Sequence, residues 1–444
     1  MNKTDPKPGT RPKIISRSEH IISRANVSHS ALKVLYRLKN SGFAAFLVGG
    51  GVRDLLLEMH PKDFDIVTDA HPEQVRKLFS NCRLIGRRFR LAHVRFGGEI
   101  IEVATFRANI DGGDDRARSD KGRILRDNVY GTIDEDIWRR DFTVNALYYN
   151  IADFSVRDYT SGLEDINSRT LRLIGDPRTR YREDPVRMLR VVRFAAKLDF
   201  DLAPETAEPI AELGDHVRDV PPARLFDEVL KLFQTGHAVR SFELLVDYGL
   251  LRHLFPATNA LLEGPDGASV RRFIELGLAG TDQRIEEDKP TTPAFLYAIL
   301  LWPAVRRLAE SLTASGSREY EAMAEASGRI AAEQQVRTAL PKRFSVPMKE
   351  MFALQRRFGI RRGARAAKIM DHRQFRAAYD FMLLRSRCGE VEAELADWWA
   401  DMQQRSPAEQ EQAFSLDKRR SGKRRRGGRR AGAPKPLSAD ASGS

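Results

Sequence analysis

The chain has 444 residues, 42% of them hydrophobic and 30% charged, which fits two to four domains with real cores. No stretch approaches the roughly 20 apolar residues that cross a bilayer. Polar Met1 to His20 does not resemble a secretory signal. Two isolated cysteines, Cys82 and Cys388, and nine histidines without zinc-ligand spacing exclude a disulfide framework or zinc site and fit a reducing cytoplasm.

The net charge of +13 is unevenly spread. Asp417 to Ser444 holds ten Lys/Arg and two acids, so this tail carries +8 and the rest of the chain +5. Such Arg/Gly/Pro/Ser sequence cannot bury apolar surface, so a disordered tail over 416–444 is expected. Its natural partner is a phosphate backbone, with an acidic lipid surface as the alternative.

In chain order, Ser28 to Asn40 reads as an amphipathic helix with Leu32, Leu35 and Leu38 on one face, ended by Gly42. Phe43 to Val48 reads as a buried strand. It runs into Gly49-Gly50-Gly51 and a short helix. Asp63 to Thr68 reads as a second strand, and Thr68 to Phe79 as a cap and helix. Leu91 to Phe96 and Glu99 to Phe106 form a hairpin over Gly97-Gly98. Asn109 to Arg126 is polar and reads as a loop near the site. Val144 to Asn150 and Phe154 to Tyr159 complete an α/β unit. Beyond about residue 165 the patterns are helical, beginning with one helix over Tyr181 to Leu198.

Three motifs carry chemistry. Asp63 and Asp65 lie one residue apart and, on one strand, would face the same side, toward the glycine turn. Paired carboxylates are ligands for Mg²⁺, and glycines let backbone approach phosphate. Asp-x-Asp alone is common; beside three glycines it points to a nucleoside triphosphate site. Arg53 is one turn into the short helix, able to reach phosphate or simply to pair with Asp54. Arg139-Arg140-Asp141 offers a phosphate clamp and a third carboxylate, or an ordinary helix-start ion pair. Glu102 is the rival third acid. In Glu183-Asp184-Pro185-Val186-Arg187, Pro185 suits a first helical position. Asp184 and Arg187 then share a face, where they read a base edge or form an i,i+3 pair. Between Lys342 and Arg376 there are eleven Lys/Arg against Glu350 and Asp371, with four interleaved phenylalanines. That composition suits an RNA-binding surface, with the phenylalanines in the core.

The glycine turn, Asp63-Phe64-Asp65, Arg139-Arg140-Asp141 and Glu183 to Arg187 occur in the order found in class II template-independent nucleotidyltransferases. That family comprises CCA-adding tRNA enzymes and bacterial poly(A) polymerases. The resemblance covers residues 43 to about 260. Leu84 to Val94 and the arginine-rich C-terminus resemble the poly(A) branch. The resemblance implies an α+β fold: a polymerase-β-like head with a small mixed sheet, then a helical neck and body. It implies Asp63 and Asp65 as metal ligands and Asp141 as the third catalytic acid. It also implies nucleotide contacts from Gly50, Arg53, Arg140, Asp184, Arg187 and Arg190, with two Mg²⁺ ions and ATP as substrate.

The expected organisation is a flexible N-terminus over 1–27, a catalytic head over 28–165, a neck over 166–260, a body over 261–415 and the basic tail. RNA contacts are expected from Arg356, Arg357, Arg361, Arg362, Arg424 and Arg425. The implied activity is addition of adenylate to RNA 3′ ends in mRNA processing and decay, by a cytoplasmic monomer, with decay machinery and RNA chaperones as partners. CCA addition to tRNA and non-catalytic RNA binding are the alternatives.

Overall fold

The computed structural model describes residues 11–86, 90–108 and 129–415. Within these residues the chain divides into two compact units. The first holds residues up to Gly264, with Leu278–Thr291 and Glu333–Leu340. The second is built from Pro265–Gly277, Thr292–Ala332 and the chain after Pro341. No helix among the described residues is long and apolar enough to cross a membrane.

The first unit is organised by an eight-stranded mixed sheet. Its strands are β1 (Lys13–Ile15), β2 (Ala45–Val48), β3 (Asp65–Thr68), β4 (Cys82–Ile85), β5 (Leu91–Phe96), β6 (Glu99–Thr105), β7 (Leu147–Asn150) and β8 (Val156–Asp158). They lie in the order β1-β8-β7-β2-β3-β6-β5-β4. Every pair is antiparallel except β3 with β6. Helices α1 (His29–Asn40), α2 (Gly50–Leu56) and α3 (Pro72–Leu78) interrupt the first strands.

Local sequence explains these elements. Ser28 accepts a hydrogen bond from the Ala31 amide at 3.1 Å and caps α1. Ala31, Val34, Leu35 and Leu38 recur at helical spacing and are buried, whereas Leu32 is half-buried. α1 and α3 pack on one sheet face. On the other, Phe46, Val48, Val67, Ile137, Tyr148 and Tyr159 form a core. Successive strand residues point to opposite faces, so Phe46 and Val48 join this core while Leu47 turns to α1.

Three differences from the sequence reading have physical causes. Of the flexible N-terminus expected over 1–27, residues 1–10 lie outside the described residues and 11–27 are tied down: Lys13–Ile15 pairs with Val156–Asp158, and buried Ile22 and Val27 anchor the chain between that strand and α1. The second strand starts at Asp65 rather than Asp63, which precedes the ladder. The expected Tyr181–Leu198 helix is two. After α4 (Ile133–Asp136) and α5 (Gly162–Asn167) come α6 (Pro177–Glu183) and α7 (Val186–Leu198), broken at Asp184 with φ −149° and ψ 94°. Pro185 pushes the residue before it out of helical conformation. A short ladder of β9 (Thr170–Leu171) with β10 (Asp201–Leu202) and helix α8 (Pro204–Leu213) then leads to α9 (Pro222–Phe233).

The second unit is helical. Its aromatic core joins Trp302, Phe352 and Phe381, and separately Phe358, Phe375 and Trp399. Of the four phenylalanines of the basic segment expected in the core, Phe352, Phe358 and Phe375 are buried and Phe344 is half-buried.

Gly49 joins β2 to α2 with φ +72° and ψ −143°, a conformation open essentially to glycine alone. Gly49→Ala is expected to lower folding stability by about 1–3 kcal/mol. Chemical denaturation would check this; an unchanged midpoint would show that the turn accepts an L side chain.

Candidate active site

The centre of the site lies at the end of β2 and the start of β3. In register, Val48 of β2 faces Asp65, and Asp65 faces Glu102 of β6. A Cβ on Gly49 would sit 3.5 Å from Asp65 Oδ2 and 4.0 Å from Arg140 Nη1. The bare glycine therefore leaves room in front of an acid and a guanidinium. A Cβ on Gly51 would come within 3.3 Å of the Asp63 carbonyl oxygen, so α2 rests closely on the segment that carries the two aspartates.

Asp65 is mostly buried, and its pKa is pushed up to about 6. Burial is the main cause, and the charge of Glu102 adds to it. Arg140 opposes the shift, and Asp63 adds a little more. The carboxylates outnumber the one cation that answers them. Mg²⁺ binds through one or two carboxylates, completing its shell with water and phosphate oxygens. Asp63 and Asp65 fit that role. Among the described residues no group of three or more His, Cys, Asp or Glu forms a closed metal cage.

The arginines divide by partner. Arg53 is buried and turned inward: Nε donates to Asp54 Oδ1 at 2.9 Å, and Nη1 to Asn145 Oδ1 at 2.7 Å. Its guanidinium also lies over Phe194. It shapes the α2–α7 contact rather than presenting a free cation. Arg140 donates from Nε to Tyr148 Oη at 2.7 Å and from Nη2 to Asp136 Oδ2 at 3.0 Å. Tyr148 in turn donates to Asp136 at 2.9 Å. Burial works against the Arg140 charge, but Tyr148 and Asp136 outweigh it and raise its pKa. Nη1 is left to face Gly49 and Asp65.

Asp141 belongs to a different network. It pairs with Arg190 of α7 and accepts from the Phe142 amide at 2.9 Å and Asn145 Nδ2 at 3.2 Å. Burial opposes its charge, but Arg190 prevails and lowers its pKa. The acid beside Asp65 is Glu102, which also lies 3.2 Å from His93 Nε2.

The break between α6 and α7 frees Asp184. Its Oδ2 accepts from Arg224 Nη2 of α9 at 2.7 Å, while buried Oδ1 has no hydrogen-bond partner. Arg187 Nη1 is likewise buried without one, and burial lowers the Arg187 pKa. An unmatched acceptor and an unmatched donor thus sit one turn apart, joined through the Arg187 amide on the Asp184 carbonyl at 3.0 Å. Buried orphan polar atoms call for a ligand or water.

Sequence reasoning missed Asp136, Tyr148, Asn145 and Arg224. Asp136 was findable, four residues before Arg140; Asn145 stands four after Asp141. Arg224, forty residues from Asp184, gives no local signal. In the second unit Arg356, Arg361 and Arg362 are exposed, Arg357 half-buried, and Arg356 pairs with Glu319 at 2.9 Å. Arg424 and Arg425, with Arg87 to Phe89 and Asn109 to Arg126, lie outside the described residues.

The fold and site define a template-independent nucleotidyltransferase. Three family models match: a poly A polymerase head domain over residues 45–172, a probable RNA and SrmB-binding site of polymerase A over 199–262, and a polymerase A arginine-rich C-terminus over 315–431. Poly(A) polymerase I of Salmonella typhimurium is 49% identical over 94% of this chain and 93% of its own length. A CCA-adding enzyme of Lactobacillus helveticus is 37% identical over 49% of the chain and 53% of its own length. Among solved structures, the Bacillus stearothermophilus CCA-adding enzyme in complex with CTP superposes with a TM-score of 0.57 at 25% identity, covering 84% of this chain and 82% of that one. The chain belongs to the poly(A) polymerase I family.

The raised Asp65 pKa has a sign that can be tested. A carboxylate with pKa about 6 against an ordinary 3.8 destabilises the folded state once ionised. The penalty is absent below pH 4, grows between pH 4 and 6, and is complete above, with a ceiling of about 3 kcal/mol. Asp65→Asn in EDTA is expected to raise the melting temperature by several degrees at pH 7.5 and not at pH 4. A lower melting temperature at pH 7.5 would show that the ionised carboxylate is held by favourable contacts instead.

Proposed function

We propose that this chain is a polynucleotide adenylyltransferase whose site is built from Asp63, Asp65, Arg140 and the Asp184–Arg187 pair. The observation that carries the residue assignment is the orphaned Asp184 Oδ1 and Arg187 Nη1 in the neck. Adenine presents an amino donor beside a ring-nitrogen acceptor. A carboxylate oxygen and a guanidinium N–H match both and need no nucleic-acid template. Cytosine presents a similar edge, so this pair accounts for template independence, and the choice of ATP needs the pocket around it as well.

The chemistry is attack by an RNA 3′-hydroxyl on the α-phosphate of ATP, with pyrophosphate leaving. Asp63 and Asp65 would hold two Mg²⁺ ions, which supply charge neutralisation and Lewis acidity when bound. Gly49 and Gly50 leave space for the phosphates beside Arg140. Asp136 and Tyr148 fix the Arg140 guanidinium, so its remaining N–H groups are aimed before substrate arrives, which is how electrostatic stabilisation avoids a reorganisation penalty. Asp141 holds Arg190, and Asn145 links Asp141 to Arg53; these act on the site by positioning. Glu102 is the third acid closest to Asp65 in the ladder. RNA contacts come from the segment 199–262 and from Arg356, Arg357, Arg361 and Arg362, with Arg424 and Arg425 in the basic tail. Action in mRNA processing and decay, in the cytoplasm as a monomer with decay machinery and RNA chaperones, belongs to the same reading, as does the division into head, neck, body and tail.

Incubation with Mg²⁺ and each nucleoside triphosphate, on an unstructured RNA and on a tRNA lacking its CCA end, tests this. Long ladders with ATP on the unstructured RNA are expected, and Asp63→Ala should abolish them. Three additions to tRNA alone, requiring CTP with ATP, would move the chain to the CCA-adding branch. Glu102→Ala is expected to lower kcat at least as far as Asp141→Ala; a fully active Glu102→Ala would return the third-acid role to Asp141. Asp184→Ala should raise the KM for ATP by 10-fold or more while weakening selection between ATP and CTP. Unaltered selectivity would remove the pair from base recognition.

A further inference from the structure

Among the described residues, one sheet face beside the acids remains open. The ladder registers align side chains of one face across five strands: Arg83 of β4, His93 of β5, Glu102 of β6, Asp65 of β3 and Val48 of β2. The row continues to Tyr148 of β7, which holds Arg140. Val48 and Tyr148 are buried under the core described above. Beyond Asp65 the described residues provide no such cover. On β4 to β6 the same face carries Arg83, Ile85, Leu91, His93, Arg95 and Ile100. Arg83 and Arg95 are exposed, and Ile85 and Ile100 are 43% and 41% exposed. The opposite face of β5 and β6, with Ala92, Val94, Ile101 and Val103, is buried.

The two sides of Asp65 are chemically different. On one side stand Arg140, the space in front of Gly49, and the network that leads through Asp141 and Arg190 to Asp184 and Arg187. The functional reading above gives that side to the incoming nucleotide. An in-line displacement brings its nucleophile from the side opposite the leaving group, so the primer's 3′-hydroxyl needs another approach. The open face of β4 to β6 is contiguous with Asp65 and spans three strands, roughly 14 Å at the usual strand spacing. Its charge suits a polyanion. Arg83 and Arg95 have no ion pair among the described residues, and Glu102 is the one acid on this face, already beside His93. Its exposed isoleucines offer apolar surface to unstacked bases. Single-stranded RNA is bound elsewhere on open sheet faces by basic groups together with stacking side chains, mostly aromatic; here aliphatic side chains supply the apolar part.

Resting on that reading, we infer that the open face of β4, β5 and β6 is the track on which the last nucleotides of the RNA primer lie, with Arg83 and Arg95 on its phosphates and Ile85, Leu91 and Ile100 under its bases. The occupant is single-stranded RNA.

The test uses the full-length protein, Mg²⁺, a non-hydrolysable ATP analogue and a short unstructured RNA carrying 4-thiouridine one, two or three positions from its 3′ end. Ultraviolet crosslinks are expected on peptides containing Cys82–Ile85 and Leu91–Ile101. In extension assays, Arg83→Glu with Arg95→Glu should raise the KM for primer at least 10-fold and leave the KM for ATP within 2-fold. The milder Arg83→Gln with Arg95→Gln pair, with an unaltered melting temperature, should shift primer KM in the same direction. It should also reduce the slope of log affinity against log salt by about 1.4, at roughly 0.7 per phosphate contact. Crosslinks confined to residues 199–262 or 342–376, or an unchanged primer KM in both variants, would overturn the track. The second outcome would leave the face for a protein. Wild-type protein that extends no RNA with ATP would instead sink the adenylyltransferase reading.

Discussion

Too many carboxylates around too few cations is the constraint on which this site turns. Asp65 cannot be both buried and ionised next to Glu102 and Asp63 without compensation. Arg140 supplies part of it, and can do so only because Asp136 and Tyr148 hold it in place from behind. Divalent metal and substrate phosphate would complete the balance together. The site therefore holds an excess of negative charge that a bound divalent metal would offset, and its ionised form is maintained at a cost in folding stability.

The charged residues of the motifs fall into two kinds. Arg53, Asp141 and Arg190 are satisfied internally, and they tie α2, the segment after α4, and α7 into one frame. Asp184 and Arg187 are left with unmatched atoms. Charge alone does not separate the kinds. Local partners do: Arg53 and Arg190 meet Asn145 and Asp141, whereas Asp184, at the helix break before Pro185, and Arg187 each keep one buried atom unmatched.

Much of this was legible in the sequence because it is local. Three glycines at a strand-to-helix junction declare a conformation that few other residues adopt, and two aspartates one residue apart stand close after them in the chain. The rest is non-local. The pairing of Asp65 with Glu102 depends on a parallel register set by an intervening helix and hairpin, so the acid that the ladder places beside Asp65 could not be read from spacing. The inward turn of Arg53 depends on Asn145, ninety-two residues away. β4 has only four residues and no fully buried one, too weak a pattern to announce a strand, and β1 has three. The helix break was hidden by an apolar periodicity that continues across it.

The two ends of the sheet have a bearing on how the chain survives its own synthesis. A mixed sheet exposes unpaired backbone groups at both borders, and long flat borders recruit other chains into aggregates. Here one border is the three-residue strand Lys13–Ile15 and the other the four-residue strand Cys82–Ile85 with exposed Arg83. Both are short, and each carries a cation. Without the Lys13–Ile15 strand the border would pass to Val156–Asp158, whose Val156 is apolar and buried. Lys13–Ile15 thus act as a hem, closing a hydrophobic seam before neighbouring copies can stitch onto it.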